Sequence, residues 1–174
     1  DDNFKPLRNA IHWTDTRSRK QVDKLREELG EEIFKKSFHK PDTIWTLPVL
    51  LWLKKREREL FSKIRYIFFE KDYIRYFLTG VYCTDYIEAE GSMLFDCSRM
   101  EWDEKLCSLC GVDISMLPPV KKPTDIIGEV SDEAAAITGL KAGTPVICGT
   151  TDTVMEIFAS GSIECGNITV KLAT

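Results

Sequence analysis

The chain has 174 residues and a net charge of −4, from 24 Lys and Arg against 28 Asp and Glu, and 43% of its residues are hydrophobic. Four Trp, nine Phe and five Tyr demand burial, which excludes a disordered chain, and the mildly acidic balance gives no support to a nucleic-acid role. The longest apolar run, residues 47–53, is far too short to span a bilayer, and no signal-like segment opens the chain.

Residues 7–13 read as a short strand running into Asp15. A long helix follows, in which Val22, Leu25, Leu29 and Ile33 recur at three- and four-residue spacing with charges between them. The region ends at Pro41. A second helix is predicted over 46–58, with Pro48 tolerated in its first turn. Its Lys54–Glu59 run is mixed in sign, which fits a solvated face. Residues 65–69 read as a short buried strand, and 71–78 as a helix closed by Gly80. From Val81 to Asp96 the pattern weakens into irregular structure. Trp102, Leu106 and Leu109 fit a helix ending at Gly111, and an extended stretch begins at Leu117. Ser131 opens a short helix that stops at Gly139.

The last third is the most informative. Residues 144–148 form a predicted buried strand, 149–153 a Gly- and Thr-rich turn, and 154–159 a helix. Segments 162–165 and 168–173 flank Gly166-Asn167, a hairpin signal. A strand, a tight turn and a helix make a place where α/β proteins put functional groups, at the carboxyl end of the strand. Asp152 sits there. It could accept a proton from a substrate hydroxyl, or it could simply cap the helix. No Gly-Lys-Ser or Gly-Lys-Thr phosphate loop, HExxH or Gly-x-Ser-x-Gly occurs. The six cysteines lie mostly in apolar runs and read as free thiols; Cys107 and Cys110 form a CxxC without a second pair, which favours packing over metal.

Several segments, in order, resemble the FGGY family of carbohydrate kinases, most closely its xylulokinase branch. Ala10-Ile11-His12-Trp13-Thr14-Asp15-Thr16-Arg17 is similar to the family's A-I-x-W-x-D-x-R, and Leu50-Leu51-Trp52-Leu53 to its K-L-x-W-L helix. Asp72-Tyr73 through Leu78-Thr79-Gly80, with Thr84-Asp85, resembles D-Y-x-x-x-x-L-T-G followed by T-D. Phe95-Asp96, Trp102, Leu106, Leu117-Pro118, Ile127-Gly128, Thr138-Gly139-Leu140 and Gly143-Thr144-Pro145-Val146 continue the series up to Gly149–Asp152.

The resemblance implies an α/β chain of ribonuclease H-like, actin-like ATPase fold. Residues 1–160 would be the latter part of the sugar-binding N-terminal domain, and 161–174 the start of the ATP-binding C-terminal domain. The family's opening Asp-x-Gly-Thr loop and its second actin-like domain are not in the sequence, so the chain is expected to be an internal piece, exposing apolar surface and inactive alone. By the same resemblance Asp152 is the catalytic base for phosphoryl transfer from ATP, with Mg2+, to a ketose such as xylulose. Thr153, at a position often Asn or Gln in the family, and Trp13, which matches an aromatic lining the polyol pocket, would bind the sugar. A core role is the alternative for Trp13. Asp15 and Arg17 would be a structural pair, and Thr174 would face the ATP phosphates. The expected partners are sugar and ATP, with no nucleic acid or membrane, in the cytoplasm; self-association as a homodimer is left open. Ala173 in place of a family Gly, with Thr153, leaves a catalytically inactive sugar-binding relative as an alternative, and an unrelated α/β interaction domain as a second.

Overall fold

Apolar stripes and caps decide where the helices lie. α1 (Arg19–Ser37) turns Val22, Leu25 and Ile33 inward and keeps its charges outside. It stops where Phe38 adopts a left-handed conformation and returns its N–H to the Phe34 carbonyl. α2 (Thr46–Arg56) buries Leu47, Leu50 and Leu53; Pro48 lies in its first turn, where no intrahelical hydrogen bond is lost. A single turn, α3 (Arg58–Phe61), leads towards α4 (Glu70–Thr79). Then come β1 (Thr84–Asp85), α5 (Tyr86–Gly91), β2 (Phe95–Asp96), β3 (Glu101–Trp102) and α6 (Glu104–Cys110). A 3-10 turn at Ile114–Met116 precedes β4 (Val120–Lys121), β5 (Ile126–Glu129), α7 (Asp132–Thr138), β6 (Pro145–Ile147) and α8 (Asp152–Ala159). This computed structural model describes residues 1–172.

Local signals account for most of these ends. Asp85, Asp103 and Ser131 accept first-turn N–H groups of α5, α6 and α7. α4, α6 and α7 each close on a left-handed glycine, Gly80, Gly111 and Gly139. The strands are short and pair two by two. β1 runs parallel to β4 with Thr84 opposite Val120, β2 antiparallel to β3, and β5 antiparallel to β6 with an irregularity between Ile126 and Gly128.

The main core lies between α1, α2, α6 and the 93–94 segment, where Ile33, Leu47, Met93, Leu94 and Leu106 are almost fully buried. A second, aromatic cluster ties the chain's first residues to α4. The Phe4 ring stacks on Tyr66 at 4.2 Å and on Tyr76 at 5.0 Å. Towards β5, β6 and α8 the surface turns apolar, with Ile126, Ile147, Met155 and Phe158 exposed.

Several expectations need correction. Residues 7–13 and 65–69 form no strand. The second segment is extended, but it makes a single ladder-like bond, Ile67 N–H to the Met116 carbonyl at 2.9 Å, so no sheet propagates. Segments 162–165 and 168–172 likewise make no ladder, although Gly166 takes the positive φ a turn requires. β6 is an edge, not a buried strand: Val146 is half-buried between exposed Pro145 and Ile147, because β5 covers it on one side only. The 81–96 region holds a regular helix, α5, capped by Asp85. Trp102 belongs to β3 rather than to α6.

Candidate active-site turn

β6 delivers the chain to a turn whose geometry is set by its neighbours. Cys148 is buried, and its N–H donates to the Asp125 carbonyl at 2.8 Å. Gly149 follows at φ 74°, a conformation that side chains resist. Its N–H donates to the Pro123 carbonyl at 2.9 Å. α8 begins two residues after Thr150. Asp152 is its first helical residue, so the N-cap position belongs to Thr151, whose side chain makes no capping bond. The Asp152 carboxylate accepts the Thr153 N–H at 2.6 Å, and the residue is exposed. A carboxylate in a first helical turn is favourably placed against the partial positive charge there.

Behind this turn lies a network of charged side chains, with Asp72, Arg75 and Asp85 buried and Lys71 and Glu88 partly exposed. Arg75 of α4, 5% exposed, donates one N–H to the Cys148 carbonyl and another to the Cys83 carbonyl. Asp72 holds the same guanidinium at 3.0 Å. Lys71 Nζ meets Asp72 at 2.6 Å, Asp85 at 2.8 Å and Glu88 at 3.8 Å. Asp85 Oδ1 caps α5 and also accepts the Thr150 hydroxyl at 3.1 Å.

Two cations therefore face three carboxylates, and Glu88 bears the imbalance. Burial pushes its pKa up to about 7; Lys71 opposes this, while Asp72, Asp85 and Asp152 add to it. Burial also works against the Lys71 charge, but Asp72 and Asp85 outweigh it and raise that pKa. The neighbouring Cys148 thiol, with Arg75 helping against burial, holds Cys83 down at about 7. The Cys83 sulfur beside it and burial push Cys148 upward.

The expected site residues are placed as follows. Asp152 and Thr153 stand together on the turn, with the Thr153 hydroxyl 3.4 Å from the carboxylate. Trp13 is 65% exposed and lies outside the core of this chain. It lies against His12, ring centres 5.5 Å apart, and no hydrogen bond or ring contact joins it to the turn among the described residues. Asp15 and Arg17 do form a pair, with two contacts at 2.8 Å, and the guanidinium lies 4.8 Å over the Trp52 ring. Thr174 lies outside the described residues. Cys107 and Cys110 are core groups on α6, and burial pushes their thiols up to about 12 and about 11.

Sequence reasoning missed the roles of Lys71, Asp72, Arg75, Asp85 and Glu88. A signal existed for one pair: Asp72 and Arg75 are three apart, so on a helix they share a face. Two surface clefts, one beside Trp102 and Leu117 and one beside Leu51 and Phe61, do not include Asp152. Among the described residues no group of three His, Cys, Asp or Glu could hold a metal ion, and no helix is long and apolar enough to cross a membrane.

The profile of the "FGGY family of carbohydrate kinases, N-terminal domain" matches residues 1–159. A xylulose kinase of Bacillus subtilis is 33% identical over the whole chain, which spans 35% of that protein. The L-xylulose/3-keto-L-gulonate kinase of Escherichia coli is 36% identical over 92% of the chain and 33% of its own length. The chain thus spans about a third of the length of the curated relatives it matches. The crystal structure of xylulose kinase from Rhodospirillum rubrum superposes with a TM-score of 0.90 at 29% identity, over 95% of this chain and 34% of that one. Glycerol kinase of Plasmodium falciparum, solved with ADP, gives 0.84 at 26% over 94% and 33%. The fold is the actin-like, ribonuclease H-like architecture of these sugar kinases, and the chain belongs to the FGGY family of carbohydrate kinases.

Proposed function

We propose that this chain is the sugar-binding part of an ATP-dependent ketose kinase, with xylulose as acceptor and Asp152 as general base. The carrying observation is the exposed Asp152 carboxylate, presented at the carboxyl end of β6 by a turn that buried charges hold from behind. The names of the relatives, two of them xylulose kinases of Bacillus subtilis and Lactococcus lactis, supply the acceptor. Gluconokinase and glycerol kinase among the relatives define the competing acceptors that the test must include.

Phosphoryl transfer asks little covalent chemistry of a protein; it asks for alignment and one group to receive a proton. In this reading the sugar hydroxyl oxygen attacks the γ-phosphorus of Mg-ATP, its proton passes to Asp152, and ADP leaves with the electrons of the broken P–O bond. The Thr153 hydroxyl orients a second sugar hydroxyl, and the exposed Trp13 ring offers an apolar wall to the carbon face of the sugar. Mg-ATP is a co-substrate, and Thr174 would meet its phosphates. Residues 1–160 are assigned to the sugar-binding domain and 161–174 to the start of the ATP-binding domain, in a cytoplasmic enzyme. The isolated chain is expected to be inactive.

The test is ATP-dependent phosphorylation by the complete protein over ketoses, aldonates and polyols, with Asp152→Ala alongside. Turnover of xylulose that falls by roughly 10²–10⁴-fold in the variant, the range expected for a general base, supports the reading. Turnover that survives the substitution removes Asp152 from the chemistry. Sugar binding by calorimetry without any turnover would identify the inactive, sugar-binding alternative.

A further inference from the structure

We propose that Arg75 and Asp85 are positioning residues that aim Asp152; the proposal rests on the reading of Asp152 as base. Gly149 is the pivot of the turn. It has no side chain and a left-handed backbone, and a Cβ built on it would touch nothing within 4 Å, so its one hold on the fold among the described residues is the backbone N–H bond to the Pro123 carbonyl. The residues on either side of it add two side-chain anchors. The carbonyl of Cys148 is gripped by Arg75, and the hydroxyl of Thr150 by Asp85. Two anchors that straddle a pivot fix the plane of the turn, and with it the direction in which α8 and its first residue project.

The anchors are themselves held. Asp85 is fully buried, its Oδ1 takes the Ile87 and Glu88 N–H groups as well as the Thr150 hydroxyl, and its Oδ2 meets Lys71. Arg75 is locked by Asp72 and by the Cys83 carbonyl. Buried ion networks of this kind are poor sources of stability, because the desolvation of the charges offsets most of their attraction. This one is also incompletely satisfied: Asp72 Oδ2 and Arg75 Nε are buried without hydrogen-bond partners. An apolar filling would stabilise the fold as well, but it could not hold a carbonyl and a hydroxyl in fixed directions. The network thus sets geometry at the one turn that bears the candidate base.

Thr150→Val in the complete protein tests this. It keeps the shape of the side chain and removes only the hydroxyl that Asp85 accepts. A base displaced by about 1 Å costs on the order of 10- to 100-fold, so kcat should fall by that factor while KM for ATP stays unchanged. Thr150→Ser should restore kcat, because it returns the hydroxyl. In an Asp152→Ala background Thr150→Val should add nothing, as expected for groups acting through one another. Amide hydrogen exchange over residues 149–154 should quicken in Thr150→Val, not in Thr150→Ser, with the rest of the protein unchanged. Wild-type kcat in Thr150→Val, equal losses in the Val and Ser variants, or unchanged exchange at 149–154 would each overturn the proposal. Should Asp152→Ala retain full kcat, the base assignment falls and the proposal with it, while the exchange data would still report whether Asp85 anchors the turn.

Discussion

Replacing Glu88 with Gln should stabilise the protein at alkaline pH and change nothing at acid pH. Glu88 is three-quarters shielded, with its side chain 26% exposed, and shares Lys71 with Asp72 and Asp85. Its pKa rises from an ordinary 4.5 to about 7, with burial as the leading cause. The folded state thus binds a proton more tightly than the unfolded chain. The associated stability is complete below pH 4.5 and is lost as pH rises to about 7. At about 1.36 kcal/mol per pH unit the full shift is worth roughly 3 kcal/mol. Relaxation of the charged form and its residual solvent contact reduce this to about 1–2 kcal/mol. Gln carries no charge to desolvate, so the variant escapes that loss. Urea unfolding from pH 4.5 to 8.5 should show the two proteins equal at the acid end, diverging through the window, and separated by a constant gap above it. A difference that does not vary with pH, or a Gln variant less stable at pH 8, would refute the argument.

Three further outcomes follow from packing and chemistry elsewhere. Leu47→Ala removes a fully buried side chain from the core and should cost about 2–5 kcal/mol in denaturant unfolding. Ser131→Ala deletes the 3.1 Å bond to the Ala134 N–H that caps α7 and should cost about 1 kcal/mol by the same measurement. Iodoacetamide at pH 8 should modify exposed Cys165 in the native protein and spare Cys107 and Cys110, which are buried with raised pKa values; mass mapping reads this, and rapid labelling of the CxxC would show it to be more than core packing.

What could be read in the sequence was what is local. The Val22–Ile33 stripe, the Gly80, Gly111 and Gly139 stops and the Ser131 cap each act within a few residues, and each stands where expected. The Gly149–Asp152 turn was legible for the same reason. Strand identity was not, because it depends on a partner. Residues 65–69 have a strand's composition, yet they settle between the aromatic cluster and the core with one backbone bond to Met116. The brace behind the turn was invisible for a related reason. Nothing near Thr150 in the chain announces Asp85, 65 residues away, and nothing near Arg75 announces the carbonyl of Cys148, 73 residues on. Asp72, Arg75 and Asp85 stood within segments that resemble the family, but their joint position emerged only in three dimensions.

Those same separations bear on the order in which the molecule assembles. α1, α2 and α6 can meet early through the apolar residues they share, but the turn is complete only after contacts spanning 65 and 73 residues have closed, when most of the loop entropy has already been spent. Its interactions should then be absent from the folding transition state. Thr150→Val is expected to speed unfolding and leave refolding untouched, whereas Leu47→Ala slows refolding. A stopped-flow chevron separates the two cases, and a slowed refolding arm for Thr150→Val would place the turn in the nucleus instead. With the expected result, the turn that bears the candidate base would be the last piece set into the fold and the first to leave it.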